Sequence, residues 1–506
     1  MRFLIPILLA APAGLPESGS AIRLGENNLQ EAVLFPFDTF SLPLRHGVEL
    51  RLIPAVRHEG NPVLPRGGPG SPDEENISYY GTVIRIDGRF RMWYLGRGGA
   101  PGDLLRICHA VSDDGVRWEK PALGLVSYNG SRDNNLVDLH WPGKAMSCNV
   151  LDEPEDPDPG RRFKMFCEIE SPSIRNQGCV AFSPDGLRWT PSPRNPVTHV
   201  RVEPAGLVRR GGLYCLSAQN AGWDRGFQKR VLITLLSCDF EHWTDAAAVG
   251  FRRDDVPPAP VLGGHNMGRQ VHLGAGLWDR GNVILGLYGM WDASRETDDR
   301  RQMRMDIGLL VTHDGMHYHE PLPGFRIIDA GEDGWSPASP AGDPPRLAQG
   351  QGMENVGDRT LTWYSLWGPG GGTGVRLAWW RRDRLGYFGV ASEPLEGQTW
   401  TPEVPPHVIS SPIRLGPGGG RVFLNADLFG RHARLAVELL DACFRPLPGY
   451  CGEERAEVAD GGLRVPVRWG GREQIGLPDR EVRIKVIFEG PRPEDARLYA
   501  VYATAG

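Results

Sequence analysis

The sequence predicts an all-β protein, a five-bladed β-propeller followed by a β-sandwich domain. Three observations carry this. A short phrase recurs along the chain, four strand-like runs precede or follow each copy in the same order, and the composition disfavours helices. The phrase reads S-D-D-G-V-R-W at Ser112–Trp118, S-P-D-G-L-R-W at Ser183–Trp189 and T-H-D-G-M-H-Y at Thr312–Tyr318. A degraded copy, S-C-D-F-E-H-W, lies at Ser237–Trp243, and a fainter one, R-R-D-R-L-G-Y-F, at Arg381–Phe388. Their common aspartates are Asp114, Asp185, Asp239, Asp314 and Asp383. A hydroxyl or amide side chain before Asp-Gly folds back on the local backbone, and glycine supplies positive φ, which makes a tight turn. One such turn is a hairpin, but several at a near-constant step mark a repeated unit. Sixty-six Gly, forty-four Pro and fifteen Trp suit many short strands joined by turns.

The strands follow in order. In the first unit Ile77–Ile86 runs into the Asp87-Gly88 turn and returns as Arg89–Leu95, and Leu105–Ser112 leads into the phrase. The second unit has Cys148–Leu151, Arg162–Glu168 and Gly178–Phe182. The third has Ala205–Arg209, Leu213–Ala218 and Arg230–Leu236. The fourth has Val271–Trp278, Val283–Tyr288 and Met305–Val311. The fifth has Gly352–Val356, Thr360–Leu366 and Val375–Trp380. Five four-stranded sheets in series bury their faces against one another around a ring. The propeller therefore spans 61–391. Before it, 22–60 carries one or two lead-in strands that pack on, or close, a larger β-unit. After it, 392–506 alternates apolar and polar residues in the manner of a sandwich.

The start of the chain, Met1-Arg2 followed by the apolar run Phe3–Ala13 and small residues to Ala21, has the pattern of a secretory signal peptide, 1–21. The expected location is secreted or periplasmic. That run is too short to span a bilayer. Net charge is −6 with both signs interspersed, which offers nothing for nucleic acid or an anionic surface. The eight cysteines show no zinc spacing, and no metal or other cofactor is implied. Cys443 and Cys451 are placed to bridge a loop in an exported protein.

Propellers bind ligands where the innermost strands begin, at the mouth of the central channel. Asp73 and Glu75 precede the first inner strand, Asp152 flanks the second and Glu203 precedes the third. Carboxylates from separate blades can converge, and two at short separation serve glycoside hydrolysis as nucleophile or base and as proton donor. Glu203 is the expected acid and a blade-one carboxylate the nucleophile or base. Arg97, His265, Asn266, Trp291 and Glu354 stand at comparable places and are the expected substrate contacts, with Trp291 or Trp367 able to stack on a sugar ring. The phrase aspartates are turn residues. For any single carboxylate a solvated loop position is the commoner fate.

The lead-in Asn61–Leu64, R-F-R-M-W-Y at Arg89–Tyr94, L-G-L-V-S-Y-N-G-S-R-D-N-N-L-V at Leu123–Val137 and R-R-F-K-M-F at Arg161–Phe166 carry a further signal. With P-L-P-G-Y at Pro446–Tyr450 and R-L-Y-A at Arg497–Ala500, the chain resembles bacterial family 32-like glycosidases of the five-bladed furanosidase superfamily, relatives of invertases, levanases and arabinanases. The resemblance implies a propeller, a C-terminal sandwich and cleavage of glycosidic bonds in an oligo- or polysaccharide. The Asn-Asp-Pro, Arg-Asp-Pro and Glu-Cys motifs of the invertase-like enzymes are absent, and Glu203-Pro204 stands where Glu-Cys would. Other readings are a carbohydrate-binding propeller without catalysis, and a glycoside phosphorylase with Arg97, Arg269 and His265 around phosphate. A sialidase is a weaker one, since the phrase is one residue shorter than the Asp-box turn.

Overall fold

A computed structural model describes residues 21–26, 28–139, 141, 143–220, 230–253, 266–332, 346–368, 372–394, 401 and 403–506. The proposed signal stretch, apart from Ala21, and His265 lie outside these residues. The described chain forms two compact units, one running from Leu50 to Tyr387 and one made of the residues up to Glu49 together with Phe388–Gly506. Both are β-structure, and the helical turns among the described residues are short 3-10 segments. None of the described helices is long and apolar enough to cross a membrane.

The larger unit is the propeller. Its blades, given as inner, middle and third strand, are Asn76–Ile86, Arg89–Arg97 and Arg106–Ser112 in the first. The second blade has Asn149–Asp152, Phe163–Glu170 and Arg175–Ser183. The third has Val202–Arg210, Leu213–Asn220 and Leu232–Ser237. The fourth has Arg269–Asp279, Ile284–Asp292 and Arg304–Thr312. The fifth has Leu347–Val356, Arg359–Leu366 and Gly374–Arg381. Within each blade neighbouring strands pair antiparallel. Asp87 and Gly88 both take positive φ, +50° and +83°, which matches the twist a two-residue hairpin must follow. Inner strands touch in chain order, and the fifth meets the first through a parallel pairing of Gln351 with Thr82. The third strand of the last blade is extended by Val56–Arg57 and Leu64–Pro65 from the lead-in, so both ends of the propeller sequence share one blade.

In the first four blades the phrase is a hydrogen-bonded turn that follows the third strand. Ser112 Oγ accepts from Gly115 N–H at 2.8 Å, and Asp114 Oδ1 accepts from the N–H groups of Val116 and Arg117 at 2.9 and 2.7 Å. Asp185 repeats this with Leu187 and Arg188, and Asp314 with Met316 and His317. The aromatic closing the phrase donates back to the glycine carbonyl, as Trp118 does to Gly115 O at 3.0 Å. The same oxygen accepts a bond from the neighbouring blade: Trp363 Nε1 reaches Gly115 O at 2.9 Å, and Trp93 Nε1 reaches Gly186 O at 2.8 Å. These two turns are therefore also bolts between blades. The faint fifth copy departs from this. Asp383 is buried and accepts from Asn355 and Arg280, across elements, in place of its own turn.

Two features inside the ring differ from the expected strand limits. The third inner strand already contains Glu203, and the fifth begins at Leu347, ahead of Gly352. Both carry a bulge, between Pro204 and Gly206 and between Gln349 and Met353, which breaks the alternation by which a strand is read. Across the channel, Gln351 of the fifth blade pairs its side chain with the backbone of Leu207 in the third. Its Oε1 accepts from Leu207 N–H at 2.6 Å and its Nε2 donates to Leu207 O at 2.9 Å.

The second unit holds two sheets of seven and six strands, both drawing on the start of the chain. Glu31–Leu34 pairs with Ala496–Ala505, Ile22–Arg23 with Ile413–Arg414, and Leu44–His46 with His407–Ile409. Lead-in strands as far as Val48–Leu52 thus join the sandwich sheets, while Val56–Arg57 and Leu64–Pro65 serve the propeller. All eight cysteines are free, including Cys443 and Cys451.

Candidate active site

The mouth of the channel is the end at which the inner strands begin and the middle strands finish. On one side stand two carboxylates from adjacent blades. Glu203 lies near the start of the third inner strand and pairs in register with Gln219. Glu168 lies near the end of the second blade's middle strand, F-K-M-F-C-E-I-E, and is 4 % exposed. Its backbone N–H donates to Ser147 Oγ at 3.1 Å, and its Oε1 accepts from the Asn176 side-chain amide. Burial raises the Glu168 pKa well above the usual carboxylate range, and the charge of Glu203 raises it further. Like charges in a dry site oppose each other's ionisation, so the neighbouring carboxylate favours the protonated form of Glu168. Glu203 is itself 8 % exposed and accepts from Gln219 Nε2 at 2.9 Å.

On the other side is a cluster of rings and guanidinium groups. His272 lies 5.9 Å from Trp291 and 5.4 Å from Trp367, measured between ring centroids. Tyr80 of the first blade approaches His272 at 6.1 Å, so the cluster spans the mouth. Arg230 sits over the Trp291 ring at 4.3 Å and Arg346 over Trp367 at 5.9 Å, and both arginines are buried. A cation held against an aromatic face stays charged with less water than it would otherwise need.

The other sequence-predicted residues fall elsewhere or in different roles. Asp73 is fully buried but already neutralised: its Oδ2 takes Tyr94 Oη at 2.7 Å and Lys120 Nζ at 2.6 Å, and its Oδ1 takes Ser71 Oγ at 3.1 Å. That network fastens the approach to the first blade. Glu75 is on the exposed rim and pairs with Arg97 at 3.2 Å. Asp152 is held by Arg162 through two bonds, 2.7 and 3.1 Å. It pairs with Phe163, five residues before Glu168 on the same middle strand, and so lies about 17 Å along the blade from the mouth. Glu354 pairs with Leu361 near the hairpin of the fifth blade, five residues before Leu366 at the mouth, and shares that distant end. Asp152 and Glu354 are not brought together with Glu203.

Asn266 is buried at the mouth; its N–H donates to Asp298 at 2.8 Å and its C=O accepts from Trp291 Nε1 at 2.8 Å. Trp291 is fully buried between these partners and Arg230, so it is a wall of the site with no open face for a sugar. Trp367 is half-buried. Arg269 is exposed and lies 3.8 Å from Asp292. Among the described residues no group of three or more His, Cys, Asp or Glu is set to hold a metal ion.

Sequence reasoning missed Glu168, because only the approaches to inner strands were weighed. The available signal was an acid inside an otherwise apolar middle strand, where a carboxylate is costly unless it has a use.

No family model and no curated protein matches the chain. Solved structures do. A glycosyl hydrolase from Bacteroides ovatus is 16% identical, covering 66% of this chain and 95% of that one at a TM-score of 0.44. A second structure is 16% identical over 66% and 95%, at 0.43. It is described with the family 130 mannoside phosphorylases, a family said there to contain glycoside hydrolases that target β-1,2 mannosidic linkages in Candida mannan. A thermostable family 43 glycoside hydrolase is 12% identical over 62% and 91%, at 0.38.

Proposed function

We propose that the protein cleaves glycosidic bonds in a carbohydrate, with Glu168 and Glu203 as its working carboxylates. The observation that carries this is the buried pair itself, in which burial and the neighbouring charge both favour the protonated form of Glu168. Glu168 would give that proton to the leaving glycosidic oxygen as the carbon–oxygen bond breaks. Glu203, ionised, would take the proton of an attacking water or attack the anomeric carbon directly. This moves the acid role from Glu203, where the sequence put it, to Glu168. Kinship with family 32 rests on the sequence motifs quoted above, and export on the charged start and apolar run of 1–21.

A second reading has a specific support. Arg230 and Arg346, buried at the same mouth, are suited to hold a phosphate as attacking group, which would make the reaction phosphorolysis. The test is a panel of oligosaccharides incubated with and without inorganic phosphate, using wild type, Glu168→Gln and Glu203→Gln. Release of free sugar without phosphate, lost by roughly 100-fold or more in both variants, supports hydrolysis. Phosphate-dependent release of a sugar phosphate would replace it with phosphorolysis. Full turnover in Glu168→Gln would overturn the assignment.

A further inference from the structure

Gln219 lies in the middle strand of the third blade and is 1 % exposed. Its Nε2 donates to Glu203 Oε2 at 2.9 Å, and its Oε1 accepts from the backbone N–H of Leu273 at 2.8 Å. The two ends of a side-chain amide are distinguished by their partners. A backbone N–H can only donate, so the Gln219 oxygen must face Leu273 and its NH2 must face Glu203. Turning the amide over would set NH2 against N–H in a buried place.

That N–H is available because the fourth inner strand bulges between His272 and Ala275. Leu273 sits at φ +65°, in the left-handed region that a leucine occupies only at a cost. The bulge turns two N–H groups toward the third blade. Gln219 takes one, and Ser217, two residues earlier on the same strand face, takes the other from Ala275 at 3.0 Å. Glu168 is served differently. Among the described residues its side-chain partner is Asn176, whose amide has no second bond there to pin it and can present either its NH2 or its oxygen. The other charges facing Glu168 are Glu170 and Lys144, which pair with each other at 2.7 Å.

We propose that Gln219 is a positioning residue: pinned by Leu273 of the next blade, it can only donate to Glu203, which keeps Glu203 the ionised member of the pair and leaves the proton on Glu168. This rests on the reading of the two glutamates as a working pair, so its test is read without turnover. The carboxyl of Glu203 is titrated by infrared difference or 13C spectroscopy in a Glu168→Gln background, with glutamate isotopically labelled and the Glu203 signal assigned by its loss in Glu203→Gln.

Adding Gln219→Met, which keeps the length and removes both bonds, is expected to move the Glu203 midpoint up by about one pH unit. Ser217→Ala, which loses the companion bond to the bulge without touching Glu203, is expected to lower the melting temperature and leave that midpoint in place. If Gln219→Met does not fold, Gln219→Glu keeps an acceptor for Leu273 and is expected to raise the midpoint through the added acid. An unchanged midpoint in the Gln219 variant, with the melting temperature lowered as in Ser217→Ala, makes Gln219 an inter-blade bolt only and overturns the proposal. Inactivity of the enzyme on every glycan would count against the functional reading and leave this result standing.

Discussion

Glu168, raised in pKa by its burial, is raised further by the charge of Glu203 across the gap between two blades. Its sign makes a stability experiment. The unfolded chain releases the Glu168 proton in the usual carboxylate range, while the folded chain keeps it to higher pH. Above the usual range the folded state therefore holds the extra proton, and stability falls with rising pH until Glu168 itself ionises, at up to about 1.4 kcal/mol per pH unit. Glu168→Gln removes the term. Its melting temperature is expected to exceed that of wild type by a margin that grows as pH rises from about 4.5 toward neutrality. Parallel melting curves across that range would show that Glu168 titrates normally.

Asp73 was a sequence candidate for nucleophile or base, and its bonds to Lys120, Tyr94 and Ser71 mark it as structural. Asp73→Asn leaves the Lys120 ammonium without its carboxylate, and breaking a buried pair from one side costs about 3 kcal/mol. The expected outcome is a lowered melting temperature with turnover per folded molecule retained. A large fall in kcat at unchanged melting temperature would return Asp73 to the chemistry.

Gln351 spans the channel to the N–H and C=O of Leu207. Gln351→Met keeps the volume and strands both backbone groups in a buried place, at about 1–3 kcal/mol for each group left unmade. Denaturant melting is expected to show a loss of about 3 kcal/mol, with faster amide exchange at Leu207. An unshifted midpoint would mean that water replaces the amide at no cost.

The number of blades was legible because each phrase is a local object. Ser112, Asp114 and Gly115 close their turn with bonds three residues long or less, so spacing in the sequence reports it directly. What spacing does not report is the bond that the Gly115 carbonyl accepts from Trp363 in another blade. The fifth copy shows the limit, since Asp383 has the same letter and serves Arg280 and Asn355. Inner-strand limits were misjudged at Glu203 and Leu347, where bulges break the period of two. The site was half legible. Glu203 stood in the sequence next to a strand start, but its partner Glu168 comes from a middle strand, and nothing local links the two.

The bridge from Gln351 to Leu207 also has a consequence for traffic. It lies about 13 Å along the third inner strand from Glu203, four residues on, and it joins two walls of the ring that are not neighbours. The ring is thus a cup and not a tube. A chain cannot be threaded past that bridge, and whatever reaches the two glutamates from the mouth leaves by the opening it came in by.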